Sequence, residues 1–326
     1  MINVLLFLCL ASLYVFFTFW SSPVSRKKVH IIGAPSGWGA QIRDCEEGPE
    51  VLNQSGMKEK LKYSGVLVHG WDSVIPFKSF KLENISLEKA LPIITDHNLR
   101  LAGQVSEVVN QGNFPLVIGG DHTIAVGTWN GVRWPLKNKS SLPFGLIWVD
   151  AHMDCHVTET SPSGAWHGMP LAGLLGYGHE SLSQLKRKEP VLFPENLCLV
   201  GIRSFEAEEV ELINRLNVRV FYMKEVEERG IAAVLADAVA HVSKNTVGFG
   251  ISLDLDVIDP EDAPGVGSPE PGGVRAEELI KALKILSTNS DLKGFEIVEY
   301  NPNRDVDGKT KKIIQDCAEA IFRTES

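Results

Sequence analysis

A short apolar run that ends in three ionisable side chains constrains the fold more than any other feature. Residues 146–149 read Leu-Ile-Trp-Val, and Asp150, His152 and Asp154 follow at alternate positions. Such a run is typical of a buried strand in a parallel sheet, because helices cover both faces of these strands. If the extended geometry persists, the three groups face one side. Buried together they need a neutralising partner, and a divalent metal ion would provide it.

Other strand-like runs also end in polar groups. The runs over 115–118, 247–253 and 294–298 are followed by His122, by Asp254 and Asp256, and by Glu299. Further strands are predicted over 29–35, 197–200 and 218–222, and helices over 51–64, 84–112 (interrupted at Pro92), 123–130, 170–186, 206–216, 224–243, 275–287 and 310–323. Alternating strands and helices predict a parallel sheet with helices on both faces. Ligands of such sheets bind beyond the carboxyl ends of the strands, where these groups would meet.

Composition narrows the class of protein. The 326 residues suit one large α/β domain or two small ones. The net charge of −9 argues against a nucleic-acid partner. The five cysteines are scattered, odd in number and form no Cys-x-x-Cys pair, which favours a reducing compartment over a disulfide framework.

The N-terminal segment differs from the rest of the chain. Ile2 to Trp20 is uncharged and apolar, and its length is that of a membrane-spanning helix. Basic residues follow at positions 26–28, so the positive-inside tendency places the chain from residue 26 onward in the cytoplasm. We therefore predict a membrane anchor over 1–25 and a cytoplasmic catalytic domain over 26–326. The alternatives are a cleaved signal peptide, which lacks the usual basic start and cleavage motif, and a buried core helix.

The polar groups also suggest the kind of metal site. Two imidazoles and four carboxylates without a thiolate suit a hard or borderline ion such as Mn²⁺ rather than structural Zn²⁺. Six ligands exceed what one ion needs if it keeps a position for water, whereas two ions that share a carboxylate would use them all. Each motif alone could instead be a structural turn or a solvated loop.

Five motifs, taken in order, resemble the ureohydrolase superfamily and within it the arginases. They are Gly-Gly-Asp-His at 119–122, Asp-Ala-His-Met-Asp at 150–154, Ser-Gly-Ala-Trp-His-Gly-Met-Pro at 163–170, Ser-Leu-Asp-Leu-Asp-Val-Ile-Asp-Pro at 252–260 and Val-Glu-Tyr-Asn-Pro at 298–302. The resemblance runs from Val29 to Arg323. It implies a three-layer α/β/α fold with a mostly parallel central sheet, two Mn²⁺ ions per subunit and a homo-oligomer, either a trimer or a hexamer.

The resemblance also assigns ligands and an activity. His122 and Asp154 would bind one ion, His152 and Asp256 the other, and Asp150 and Asp254 would bridge both. The family hydrolyses a guanidinium group: hydroxide attacks its carbon and the intermediate collapses to urea and an amine, which implies conversion of L-arginine to urea and L-ornithine. Asp256 would relay the proton to the leaving amine, His167 would exchange protons with solvent, and Glu299 would pair with the guanidinium. The alternatives are a structural loop histidine for His167 and a strand-end ion pair for Glu299.

The substrate pocket departs from the family pattern. Arginases usually have Asn where this chain has His156 and Ala165, and these side chains help to hold the α-carboxylate of L-arginine. Ser163 is retained, Glu206 replaces an Asp that contacts the α-amino group, and Glu209 matches a family carboxylate. A protonated His156 could still meet a carboxylate, whereas Ala165 removes a polar contact worth about 1 kcal/mol.

We therefore expect L-arginine as substrate, with a weakened or shifted preference. One alternative is a related amidinohydrolase acting on agmatine, guanidinobutyrate or formiminoglutamate. Another is a catalytically silent, membrane-tethered scaffold, against which the complete set of ligands argues.

Overall fold

A computed structural model describes residues 26–75, 86–185 and 188–323. The predicted anchor or signal segment, residues 1–25, lies outside these ranges, so it and the domain boundary that follows it stay predictions. Within the described ranges, no helix combines the length and apolar character needed to cross a membrane.

The described residues contain one sheet of eight strands. The strands are β1 (Val29–Ala34), β2 (Val68–Ser73), β3 (Phe114–Gly119), β4 (Gly145–Val149), β5 (Leu197–Ile202), β6 (Arg219–Tyr222), β7 (Phe249–Asp254) and β8 (Leu292–Val298). Their spatial order is β2-β1-β3-β8-β7-β4-β5-β6, and every neighbouring pair is parallel. The predicted parallel sheet is therefore confirmed. Sequence analysis missed β2, because this edge strand is polar and largely uncovered.

The helices of the described ranges pack on the two faces of the sheet. They are α1 (Gly48–Gln54), α2 (Met57–Tyr63), α3 (Leu87–Asn110), α4 (Ala125–Lys137), α5 (Pro170–Leu174), α6 (Glu180–Ser183), α7 (Ala207–Arg215), α8 (Met223–Arg229), α9 (Ile231–Val242), α10 (Ala276–Lys284) and α11 (Lys309–Phe322). Helix α3 continues through Pro92, which the sequence predicted to interrupt it. A proline in the second turn removes one hydrogen bond without ending this helix.

Glycine divides predicted helices at two places. The helix predicted over 51–64 is divided at Gly56, which has φ of 75°, and the helix predicted over 224–243 at Gly230, which has φ of 80°. Glycine adopts positive φ values readily, and a residue with positive φ cannot continue a right-handed α-helix. The helix predicted over 170–186 is likewise two short helices, α5 and α6.

Alternate side chains of each strand enter two separate cores. Ile147 and Val149 pack with side chains from α1, α2 and α8–α11, whereas Leu146 and Trp148 pack with side chains from α3–α5 and α7. All four are fully buried, and each such side chain stabilises the fold by about 1.5–3 kcal/mol. The three-layer α/β/α architecture is thus confirmed, and its apolar layers fix the strand ends that carry the polar groups.

Candidate active site

Four neighbouring strands deliver polar groups to one edge of the sheet. His122 follows β3, Glu299 follows β8, Asp254 ends β7 and Asp150 follows β4. These strands are adjacent in the order β3-β8-β7-β4. All four side chains are buried, so the structure gathers them into one enclosed site at the carboxyl ends of the strands, as is usual for α/β sheets.

The first ligand group surrounds the imidazole of His122. Its Nδ1 lies 3.2 Å from Asp150 Oδ2, 2.9 Å from Asp154 Oδ2 and 3.3 Å from Asp254 Oδ2. This nitrogen is buried and makes no hydrogen bond. Burial acts to lower the pKa of His122, yet the three carboxylates raise it well above its ordinary range. The position therefore strongly favours positive charge, as a cation site would.

The opposite side of the His122 ring has a defined partner. Its Nε2 lies 3.0 Å from Ser252 Oγ, which donates to Glu296 Oε1 at 2.6 Å. Because the hydroxyl of Ser252 donates its proton to Glu296, it can only accept from His122. We therefore assign a proton to His122 Nε2 and a hydrogen bond from it to Ser252 Oγ. The ring also stacks on Trp148 at 4.0 Å. Nδ1 is thereby left with a lone pair that points at three carboxylates, which is the arrangement of a metal ligand.

The second ligand group surrounds His152. Its Nδ1 lies 3.0 Å from Asp256 Oδ2 and 3.6 Å from Asp150 Oδ1. Ligand atoms of Asp150, His152 and Asp256 lie within 4.8 Å of one another, as do those of His122, Asp150 and Asp254. Asp150 thus belongs to both groups, as a bridging carboxylate would. Asp254 belongs to the group of His122 and Asp150 but not to that of His152, so its bridging role stays a prediction.

The donor atoms fit a pair of divalent cations. The two groups comprise two imidazoles and four carboxylates without a thiolate, which is the set that hard and borderline ions prefer. They adjoin through one shared carboxylate, the arrangement of two-metal sites. Asp154 holds its carboxylate in place with a backbone φ of 50°, a strained value of the kind found at functional sites.

Glu299 lies between the metal ligands and His167. Its Oε1 accepts the backbone N–H of His122 at 2.8 Å and lies 3.0 Å from His167 Nδ1, and its Oε2 accepts the Cys45 thiol at 3.3 Å. A Cβ at position 267 would lie 2.6 Å from Oε2, which is closer than van der Waals contact allows. Only glycine at this position therefore avoids a clash with the Glu299 carboxylate. Burial acts to lower the pKa of His167, but Glu299 raises it to about 9. A carboxylate has about four acceptor positions, so Oε2 keeps one for another donor.

An open pocket with a volume of about 180 Å³ lies above these groups. The predicted site residues His152, Asp154, His156, Ser163, His167, Glu206, Glu209, Asp254, Asp256 and Glu299 line it. His122 and Asp150 lie behind this wall. Sequence analysis missed Ser161 and Ser268, which also line the pocket, because a single loop serine carries no spacing signal.

Comparison with known proteins agrees with this geometry. A sequence profile described as the Arginase family matches residues 27–322. An arginase of Brevibacillus brevis is 39% identical over 300 residues, a match that covers 91% of this chain and 98% of that protein. The chain belongs to the arginase family.

Solved structures of arginases superpose on the described fold. The native structure of the arginase from Bacillus caldovelox at pH 5.6 superposes with a TM-score of 0.84 at 36% sequence identity. The match covers 92% of this chain and 99% of the Bacillus caldovelox chain. The Entamoeba histolytica arginase in complex with L-ornithine has a TM-score of 0.81 at 28% identity, with coverage of 91% and 99%. The family resemblance and its fold are thereby confirmed.

The mouth of the pocket is where this arginase-family chain departs from the sequence-based interpretation. His156 Nδ1 lies 3.0 Å from Thr160 Oγ1, and its Nε2 lies 3.0 Å from Glu206 Oε2 and 3.5 Å from Glu209 Oε2. Both nitrogens have protein partners, so neither is open to a substrate carboxylate. The two glutamates also form the capping box of α7, which fixes their backbone at the pocket. Burial raises the pKa of Glu209 to about 8.

Proposed function

We propose that the protein hydrolyses the guanidinium group of L-arginine to urea and L-ornithine with two Mn²⁺ ions. The observation that carries this proposal is the pair of ligand groups sharing Asp150 beneath a pocket with carboxylates at its mouth. The family membership and the L-ornithine complex of the Entamoeba histolytica relative support it.

The chain's own residues would hold the two ions. His122 and Asp154 would bind one, His152 and Asp256 the other, and Asp150 and Asp254 would contribute to both. When bound, such a pair supplies hydroxide as a nucleophile near neutral pH.

Glu299 would bind the guanidinium of the substrate. The remaining acceptor position on its Oε2 suits an N–H of this planar cation. The carboxylate is buried, and a charge-assisted hydrogen bond gains strength where water is excluded. Its other three contacts, to His122, His167 and Cys45, keep it from turning away.

His167 and Asp256 would move protons. The His167 side chain is 25% exposed at the pocket, and its Nδ1 is engaged by Glu299. Its Nε2 is therefore the nitrogen that can exchange a proton with solvent and pass it inward. Asp256 lines the pocket beside His152, where it would deliver the proton to the leaving amine.

The amino-acid end of the substrate would lie at the mouth of the pocket. Glu206 provides negative charge for the α-ammonium group, Glu209 lies beside it in the pocket wall, and the hydroxyl of Ser163 provides a donor for the α-carboxylate. Ser163 Oγ accepts the backbone N–H of Ala165 at 3.1 Å and lies 3.5 Å from Ser161 Oγ. When Ser161 is the donor of that pair, the Ser163 proton can point at the substrate.

A second candidate substrate class follows from the same region. With both His156 nitrogens engaged and a methyl group at Ala165, the pocket offers few donors to an α-carboxylate. This favours agmatine, a guanidino compound without a carboxylate. Guanidinobutyrate and formiminoglutamate, which carry carboxylates, are the other candidates of this class.

A substrate panel separates these candidates. The full chain is purified, loaded with Mn²⁺ and assayed for kcat/KM on each compound, with Asp150→Asn as the inactive control. We expect the highest kcat/KM and urea release with L-arginine. A higher value with agmatine or guanidinobutyrate would establish the second class, and no turnover of any of them would refute an amidinohydrolase.

We also propose a homo-oligomer, a trimer or hexamer, anchored to a membrane by residues 1–25 with the catalytic domain in the cytoplasm. The uncharged segment and the basic residues after it support the anchor. N-terminal sequencing of the mature protein distinguishes an anchor from a cleaved signal for export, and light scattering gives the number of subunits.

A further inference from the structure

The His152 imidazole has a carboxylate on each side. Its Nδ1 faces Asp256 and Asp150, while its Nε2 lies 3.5 Å from Glu270 Oε1. Glu270 approaches the ring at Nε2, whereas the carboxylates of the ligand group face Nδ1. A role for Glu270 must therefore act through His152.

The position of the Glu270 carboxylate is fixed from two directions. Ser204 Oγ donates to Glu270 Oε1 at 3.2 Å, the same oxygen that approaches His152. The guanidinium of Arg203 donates to the backbone carbonyl of Glu270 at 2.8 Å and to that of Asp256 at 2.6 Å. One arginine thereby ties the loop carrying Glu270 to the turn carrying the ligand Asp256.

The two ligand groups are backed by the same pair of residue types. Behind His122, Nε2 reaches Glu296 through Ser252. Behind His152, Nε2 faces Glu270, which Ser204 holds in place. In a neutral imidazole one nitrogen donates and the other accepts, so an acceptor at Nε2 selects the form whose Nδ1 carries a lone pair. That form binds a metal through Nδ1, and a carboxylate behind it strengthens the ligand.

We propose that Glu270 is a positioning residue for His152, which keeps the proton on Nε2 and the lone pair of Nδ1 aimed into the second ligand group. Its effect is to raise the affinity of that group, and not of the group around His122, for its divalent cation. This inference rests on the proposed function in so far as His152 is a metal ligand.

The test removes the negative charge while keeping the shape of the side chain. In Glu270→Gln the amide oxygen can still accept from Ser204 and face His152 Nε2, but a neutral amide is a weaker acceptor than a carboxylate and holds the proton on Nε2 less strongly. The metal-free full chain is titrated with Mn²⁺ by calorimetry, and thermal unfolding is followed in EDTA. We expect two ions in the parent chain, and in the variant one of the two sites weakened by about 10- to 100-fold. Turnover should recover at saturating Mn²⁺, and unfolding in EDTA should not change.

Two further variants sharpen the test. Ser204→Ala releases the held oxygen and should weaken the same site by a smaller factor. Glu277→Gln removes an exposed glutamate that pairs with Lys281 on α10 and should leave both sites unchanged.

Unaltered affinities in Glu270→Gln, or equal weakening of both sites, would overturn the inference. A parent chain that binds two ions but releases no urea would refute the proposed function and leave the role of Glu270 standing.

Discussion

Replacement of Asp150 should weaken metal binding at both ligand groups. Its Oδ2 lies 3.2 Å from His122 Nδ1, and its Oδ1 lies 3.6 Å from His152 Nδ1. Asp154 and Asp256, by contrast, each lie beside one of these imidazoles. We therefore expect Asp150→Asn to reduce the number of tightly bound Mn²⁺ ions from two to none, and Asp154→Asn or Asp256→Asn to reduce it from two to one.

The stabilisation by manganese should follow the same pattern. An ion present at 100 times its dissociation constant stabilises the native state by about 2.7 kcal/mol, so two ions contribute about 5.4 kcal/mol. In a domain of this size 1 kcal/mol raises Tm by about 2 °C. The parent chain should gain about 10 °C on adding Mn²⁺, each single-group variant about 5 °C, and Asp150→Asn nothing measurable.

The assay compares Tm in excess Mn²⁺ with Tm in EDTA for each variant. This difference cancels the direct effect of the substitution on folding. Asp150 accepts Trp148 Nε1–H at 2.9 Å and the backbone N–H of His152 at 2.6 Å, and the single amide oxygen of Asn leaves one of these two donors unpaired. Urea release should be lost in all three variants and in Asp154→Ala and Asp256→Ala, while the fold is retained. A manganese-dependent rise in Asp150→Asn equal to that of the parent chain would refute the shared ligand.

Three further changes have defined outcomes. Ala165→Asn should lower the KM for L-arginine about fivefold by restoring a polar contact worth about 1 kcal/mol, and an unchanged or higher KM would contradict this reading of the pocket. Gly267→Ala should push the Glu299 carboxylate aside and lower kcat/KM on the order of 100-fold, whereas Gly103→Ala, where an added Cβ meets nothing within 4 Å, should leave it unchanged. Burial lowers the pKa of His97. Below about pH 6.5 His97 therefore binds a proton in the unfolded chain but not in the native chain, and the free energy of unfolding falls as the pH falls. In His97→Gln, urea unfolding of the metal-free protein at about pH 7.5 and about pH 5.5 should show a smaller loss, and an identical loss would count against this origin.

The sequence predicts that these polar side chains converge because of a geometric property of parallel sheets. Residues after β3, β4, β7 and β8 meet because these strands run the same way and are adjacent, whatever their separation along the chain. Buried strands are also easily recognised, since their apolar runs end abruptly at the first ionisable group, as β4 does before Asp150.

Features set by contacts between distant segments are harder to predict. The sequence shows that His156 departs from a family motif. Its contact with Glu206, however, depends on how the start of α7 lies relative to the loop that carries His156, and the sequence does not give this. Glu270 is also hard to predict. Its loop has no apolar periodicity, and its proposed role depends on its distance to His152, which the sequence does not give. The turns at Gly56 and Gly230 depend on backbone conformation, which the spacing of apolar residues does not report.

The contacts of Arg203 also bear on how this site can vary. Its guanidinium donates to five main-chain carbonyls, those of Gly201, Asp256, Val257, Glu270 and Pro271. Main-chain acceptors persist whichever side chains the loop carries. A mutation in this loop can therefore introduce or delete a carboxylate beside His152 without moving the segment that bears it. Natural selection thus has a place to adjust metal affinity separately from folding.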